Sequence, residues 1–205
     1  VGFVSWLLAV DLRSAMSNLK AENQRVRDSQ QKIEYLSQHD ALTGLPNRLL
    51  TRDRFEQSLA LARRSNDRVA LLFLDLDNFK NINDSLGHPA GDDLLCQVAA
   101  RLQQVVCGGD TVCRQGGDEF LLSLGEVKSL DDAASTALQV LESLSVPFTV
   151  SGHQVVMSCS LGVALAPDDG SDFDTLLKKA DMAMYKAKDS GRNAWRCYDE
   201  AMDVS

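Results

Sequence analysis

Polar and apolar positions along this chain fall into three rhythms. From Asp11 to Gln38 the sequence is polar, free of Gly and Pro, and rich in helix formers, which predicts a helix. Leu12, Leu19, Val26 and Ile33 recur along it every seven residues, as one seam of a coiled coil would. The companion positions Ala15, Glu22, Ser29 and Leu36 are only half apolar. The segment therefore reads as a helical linker able to pair with its copy in a second chain, and a simply solvated helix fits the same pattern.

From His39 onward the rhythm changes. Leu49 to Ser65 carries Leu50, Phe55, Leu59 and Ala62 at helical spacing. Arg68 to Leu74 is an apolar run ending in acid, which predicts a buried strand. Helices are expected over Asn78 to Leu86 and Asp92 to Val106, with Gly87, His88, Pro89 and Gly91 as the break between them. Thr111 to Arg114 and Glu119 to Leu124 read as short strands joined by a hairpin turn at Gly116 and Gly117. A helix over Asp131 to Leu144 and a long strand region over Gln154 to Ala166 follow. Phe173 to Asp189 is amphipathic, with Phe173, Leu176, Leu177, Ala180, Ala183, Met184 and Ala187 on one face; Gly191 can stop it before a last strand over Ala194 to Tyr198. This order predicts an α/β (α+β) fold, a central mainly antiparallel sheet flanked by helices, at residues 39–205 behind a helical linker at residues 1–38.

Composition narrows the class. At 205 residues, 44% of them hydrophobic, the chain can bury a core of ordinary domain size. The net charge of -8 disfavours nucleic acid as a partner, because phosphate backbones call for Lys and Arg. Action on an anionic nucleotide would need local basic residues and a metal ion. Cys96, Cys107, Cys113, Cys159 and Cys197 form no C-x-x-C pair, so neither a zinc site nor a disulfide framework fits, and reduced thiols suit a cytoplasmic domain. His39, His88 and His153 lack ligand spacing. The chain starts at Val1, not Met, so a fragment of a longer protein is expected. Val1 to Val10 is almost wholly apolar but too short to span a bilayer. It could be the end of a membrane helix, part of a signalling helix, or a stretch that packs on something else.

Three places carry candidate chemistry. The predicted strand delivers Asp75 to its end, within LDLDNFK, where a carboxylate can meet a hard cation; Asp77 could equally cap the next helix. Gly116 and Gly117 permit a tight turn, and Asp118 and Glu119 follow at once, two acids whose repulsion a cation would relieve. Lys186, Lys188 and Arg192 gather at a helix C-terminus, where the dipole favours cations and where an anion site for phosphate could form.

Taken in order, these blocks resemble the GGDEF family of diguanylate cyclases from about His39 to Tyr198. The resemblance rests on DALTGLPNR (Asp40 to Arg48), DLDNFKNIND (Asp75 to Asp84), LGHPAGD (Leu86 to Asp92), RQGGDEF (Arg114 to Phe120) and ADMAMYKAKDSGRN (Ala180 to Asn193). It implies the nucleotidyl-cyclase, ferredoxin-like GGDEF fold and the joining of two GTP into cyclic di-GMP with release of two pyrophosphates. By the family pattern Asp75, the main-chain carbonyl of Leu76 and Asp118 hold two divalent ions, Mg²⁺ or Mn²⁺, per active site. Glu119 helps hold the second or orients the attacking hydroxyl. Asp118 is the family's general base, although a metal-bound carboxylate is a poor one. Asn83 and Asp92 match the guanine-reading pair, Phe79 lies where backbone N–H groups approach phosphate, and Lys80, Lys188 and Arg192 would face the phosphates. Each domain holds one GTP, so a homodimer is implied.

The intact acids and Lys80 argue for an active cyclase over a silent GTP-binding module that regulates an attached domain. LPNRLL (Leu45 to Leu50) also resembles cyclase domains that precede an EAL phosphodiesterase domain, so an attached EAL or inner-membrane sensor domain is one setting compatible with the resemblance, and the residues do not decide it. One departure stands out. Many members carry an Arg-x-x-Asp product-inhibition site, and here that stretch is Cys107-Gly108-Gly109-Asp110, without the guanidinium that would fork onto product. Saturating cyclic di-GMP is therefore expected to leave turnover nearly unchanged in a product titration. Tight inhibition that depends on Asp110 would contradict this.

Overall fold

The structure is a computed structural model that describes residues 2–204, with side-chain surroundings from residue 16 onward except 17 and 204. The chain divides into two compact units, Val1–Gln38 and His39–Ser205. The first is one helix, α1 (Gly2–Gln38). On it Leu19, Val26, Ile33 and Leu36 are exposed, so the described part of the seven-residue seam is an apolar stripe in water. The positions Leu12 and Ala15 and the apolar stretch Val1 to Val10 lie outside the residues whose side chains are described. Among the described residues, no helix is long and apolar enough to cross a membrane.

The second unit runs α2 (Arg48–Ser65), β1 (Arg68–Leu76), α3 (Phe79–Leu86), α4 (His88–Val105), β2 (Thr111–Gly116), β3 (Glu119–Val127), α5 (Leu130–Ser145), β4 (Phe148–Val150), β5 (His153–Val155), β6 (Cys159–Ala166), α6 (Phe173–Asp189) and β7 (Ala194–Cys197), then a 3-10 turn at Glu200–Val204. Helices α2, α5 and α6 start where side chains take up free N–H groups. Asn47 Oδ1 accepts from Leu49 and Leu50 at α2, Ser129 and Asp132 form a capping box at α5, and Asp172 accepts from the Thr175 N–H at α6.

Five strands form one sheet in the order β2-β3-β1-β6-β7, antiparallel except for β6 with β7, and β4 pairs β5 in a separate ribbon. This is the mainly antiparallel α/β arrangement expected. Alternation along the central strand β1 sorts the core into two layers. Ala70, Leu72, Leu74 and Leu76 share one core with Leu94, Val98 and Leu102 of α4 and Val140 and Leu144 of α5. Val69, Leu71 and Phe73 share the other with Phe55 and Leu59 of α2 and Leu176, Ala180 and Met184 of α6.

Two boundaries differ from the sequence reading. Helix α4 begins at His88 rather than Asp92. Pro89 sits in its first turn, where no N–H is required, and Gly91 is buried against α3, so neither residue breaks the helix. The region expected as one long strand, Gln154 to Ala166, is two, with β5 turned back on the unanticipated β4 through Ser151 and Gly152. Smaller shifts carry β1 to Leu76 and β3 to Val127, and the C-terminal 3-10 turn was not anticipated.

Gly162 of β6 sets how closely α6 lies on the sheet. A Cβ there would stand 1.9 Å from the Ala180 carbonyl oxygen and 2.2 Å from the Met184 nitrogen, both main-chain atoms that cannot swing aside. Gly162→Ala is therefore expected to displace α6 and to destabilise the domain by about 2–3 kcal/mol. A thermal melt should show Tm falling by roughly 4–12 °C; an unchanged melt would mean that α6 is seated otherwise.

Candidate functional site

Strand period decides which carboxylates meet. Asp75 continues the series Val69, Leu71, Phe73 on the α6 side of β1, and the register with β3 sets Asp75 directly opposite Glu119. Asp118 occupies the tip between β2 and β3, where its carbonyl accepts a 3.2 Å hydrogen bond from the Leu76 N–H. Gln115 is an extra residue in β2, a bulge that shifts pairing from Arg114–Phe120 to Gly116–Glu119 and so re-aims the tip. Asp75, Leu76, Asp118 and Glu119, the predicted metal-holding residues, are thus brought to one end of two adjacent strands.

The cation nearest them belongs to α6. Lys188 Nζ lies 2.7 Å from Asp75 Oδ1, both side chains largely covered. Burial pushes the Asp75 carboxyl above its ordinary range; Lys188 pulls it back, and Asp118 and Asp77 push it further up. Glu119 is likewise raised, by burial first, then by Asp75, Asp118 and Asp181, against Lys188. The sequence placed Lys188 on a phosphate tail; in this structure its partner is the carboxylate at the end of β1.

The other predicted residues lie on α3, on α4 and in the turn after α6. Phe79 is buried at the start of α3, while Lys80, next to it, is exposed. Asn83, on α3, lies against α4 at Gly91, one residue before the exposed Asp92. A Cβ at position 91 would stand 1.9 Å from Asn83 Oδ1, so the glycine is what lets the amide and Asp92 share one corner. Arg192 follows α6, exposed, with no hydrogen bond or ion pair from its side chain among the described residues.

Arg114, Asp40 and Asp77 hold the site without having been singled out for it, and Asp181 adds charge to it. Arg114 donates to both oxygens of Asp40 at 3.0 and 3.1 Å and to the Gly117 carbonyl at 3.0 and 2.8 Å, which ties the hairpin tip to the segment before α2. Burial works to raise the Asp40 carboxyl, but hydrogen bonds from Thr43 and Arg114 outweigh it and hold the carboxyl below its usual range. Asp77 does not cap α3, whose N-cap is Asn78; it is buried and bonded to Ser158, Ser160 and the Asn193 N–H. Asp181, seven residues before Lys188 on α6, adds its charge to Glu119, and that helical spacing was a usable signal. No local pattern pairs Asp40 with Arg114 or Asp77 with Asn193.

In the stretch Cys107-Gly108-Gly109-Asp110, Cys107 is exposed and Asp110 is spent on the backbone. Its Oδ2 accepts from the Cys107 N–H at 3.0 Å and its Oδ1 from the Gly125 N–H at 3.1 Å.

The donors at the strand ends are carboxylates and main-chain carbonyls crowded with like charge, which fits a hard divalent cation such as Mg²⁺. Among the described residues no three acidic, His or Cys side chains form a ready-made cage. The raised carboxyls give a signed prediction for metal-free protein. A carboxyl raised on folding contributes stability that is present below its unfolded value and lost as pH rises through its folded value. Glu119→Gln, melted in chelator, should thus raise Tm at neutral pH, and the gain should vanish at acid pH, where the Glu119 carboxyl is protonated in both the folded and unfolded chain. A variant less stable than wild type at neutral pH would contradict it.

The family model for "Diguanylate cyclase, GGDEF domain" matches residues 37–194. The bifunctional diguanylate cyclase/cyclic di-GMP phosphodiesterase MucR of Pseudomonas aeruginosa is 45% identical over 170 residues, 83% of this chain and 25% of that protein. The cyclic di-GMP phosphodiesterase PdeR of Escherichia coli is 37% identical over 177 residues, 86% of this chain and 26% of that protein. The chain thus spans about a quarter of the length of these curated relatives. The solved GGDEF domain of TpbB from Pseudomonas aeruginosa matches with a TM-score of 0.79 at 39% identity, covering 81% of this chain and 97% of that one. With the family model covering most of its length and the strand-end acids of the signature in place, the chain belongs to the GGDEF domain family.

Proposed function

We propose that the domain is an active diguanylate cyclase that joins two GTP into cyclic di-GMP at the face of a homodimer. The observation that supports this most is the meeting of Asp75 with Glu119 across the β1–β3 register, with Asp118 at the adjoining tip and Lys188 as their counter-ion. Asp92 accepts from guanine N1–H and N2–H₂ while the Asn83 amide donates and accepts beside it. Adenine lacks that donor pair, so ATP leaves Asp92 unmatched and is rejected. Lys188 and Arg192 hold the triphosphate tail, and Lys80 meets the charge that develops on the α-phosphate. Divalent ions, when bound at Asp75, Leu76, Asp118 and Glu119, neutralise phosphate charge and make the attacking 3′-hydroxyl more acidic.

In each half of the reaction the 3′-oxygen of one GTP bonds to the α-phosphorus of the other. The bond from that phosphorus to the bridging oxygen breaks, pyrophosphate leaves, and the hydroxyl proton passes toward Asp118 or solvent. One domain offers one such nucleotide, so two must face each other, and α1 with its exposed seven-residue stripe is the device that brings them together. A second reading has support in the relative named as a phosphodiesterase: a GGDEF module that binds GTP without turnover and regulates an attached domain.

Incubation with GTP and Mg²⁺ followed by chromatography separates the two readings. Cyclic di-GMP should appear, with specific activity rising with protein concentration, and Asp118→Ala should lower the rate by at least about a hundredfold. Bound GTP with no product at high protein concentration would favour the silent module.

A further inference from the structure

Between α6 and β7 the chain passes through three successive left-handed residues, Gly191 (φ 113°), Arg192 (φ 63°) and Asn193 (φ 46°). Two of them are not glycine, and such a run persists only where its surroundings over-determine it. Three hydrogen bonds close the turn on α6 itself: Ser190 N–H to Lys186, Gly191 N–H to Lys188 and Arg192 N–H to Ala187, each to the carbonyl. A fourth leaves the helix. The Asn193 N–H donates to Asp77 Oδ2 at 3.0 Å, just past the end of β1.

Asp77 is a junction. Its Oδ2 also accepts from Ser158 Oγ at 2.7 Å and its Oδ1 from Ser160 Oγ at 2.8 Å, while its own N–H donates to the Ser158 carbonyl at 2.9 Å. With 4% of its surface exposed it cannot reach a nucleotide, and it makes no ion pair among the described residues. A buried carboxylate satisfied by neutral donors is a poor way to gain stability. It is an effective way to fix where three segments stand.

We infer that Asp77 is a positioning residue for nucleotide binding: it holds the Gly191–Asn193 turn to the end of β1 and so sets where Arg192 stands relative to Asp75. The Arg192 side chain makes no hydrogen bond or ion pair among the described residues, so its place is set through its backbone. The inference rests on the reading of the domain as a GTP-using cyclase and adds to it the residue that aims one of its phosphate-binding cations.

The test is a double-mutant cycle in KM for GTP at saturating Mg²⁺, with thermal melts and amide exchange alongside. Arg192→Ala and Asp77→Asn should each raise KM by about tenfold, as loss of one charge-assisted contact does, and leave kcat within a few-fold. The double variant should also be raised by about tenfold, not a hundredfold, because both remove the same contact. The Asn193 amide should lose exchange protection in Asp77→Asn. Ser158→Ala keeps the carboxylate charge and loosens its hold; it should raise KM by a few-fold, again without adding to Arg192→Ala, and it carries the test if Asp77→Asn does not fold. Multiplying effects, or unchanged KM in Asp77→Asn or, where that variant does not fold, in Ser158→Ala, would overturn the inference while leaving the cyclase reading intact. Wild-type protein that neither binds nor converts GTP would sink the cyclase reading itself, and the inference with it.

Discussion

Nine residues of β1 run almost wholly buried through the middle of the sheet, and near their end the register places the carboxylate of Asp75 against that of Glu119. Opposed like charges on adjacent strands repel, and burial makes each harder to ionise. The neighbourhood answers with one close cation, Lys188, brought from the far end of the chain by α6. That helix can lie close enough only because β6 presents Gly162, with no side chain, beneath Ala180 and Met184. The position of α6, its last-turn lysine and the turn bearing Arg192 are therefore linked to the charge at the end of β1.

An electrostatically unfavourable cluster needs a stiff frame, or it relaxes by moving apart. The hairpin tip is held on one flank by Leu76 N–H to the Asp118 carbonyl and on the other by Arg114, which spans from Gly117 to Asp40. The end of β1 is held by Asp77. The corner proposed to read guanine has its own device, with α3 and α4 brought into contact at Gly91 so that Asn83 sits beside Asp92. The block from Asp40 to Arg48, which carries no reactive group, has a physical role as the anchor of the signature turn.

The sheet and most helices were legible in sequence because their signals are local. The apolar run of β1 and the 3.6-residue stripe of α6 each declare one element, and the strand-end acids mark a candidate cation site. What was not legible depends on contacts distant in sequence. The ribbon of β4 and β5 is too short to show a period, and the residues that divide it from β6 (Val156 to Ser158) include neither Gly nor Pro. Pro89 and Gly91 read as breakers because each is one in isolation; position in the first turn and contact with Asn83 reverse that. Lys188 was read as a phosphate ligand, and its pairing with Asp75 was not legible, since 113 residues separate them. Asp77 looked like a cap for the same reason: its three donors lie more than 80 residues away.

We propose that the strand-end carboxylates need a divalent cation to accept a guanine nucleotide. Calorimetric titration of a non-hydrolysable GTP analogue into wild-type protein, with Mg²⁺ and with chelator, tests it most directly, beside the same titration into Asp75→Ala. Binding should be strong with Mg²⁺, at least about tenfold weaker in chelator, and weak in Asp75→Ala under both conditions. Equal affinity with and without metal, or full affinity in Asp75→Ala, would contradict the account.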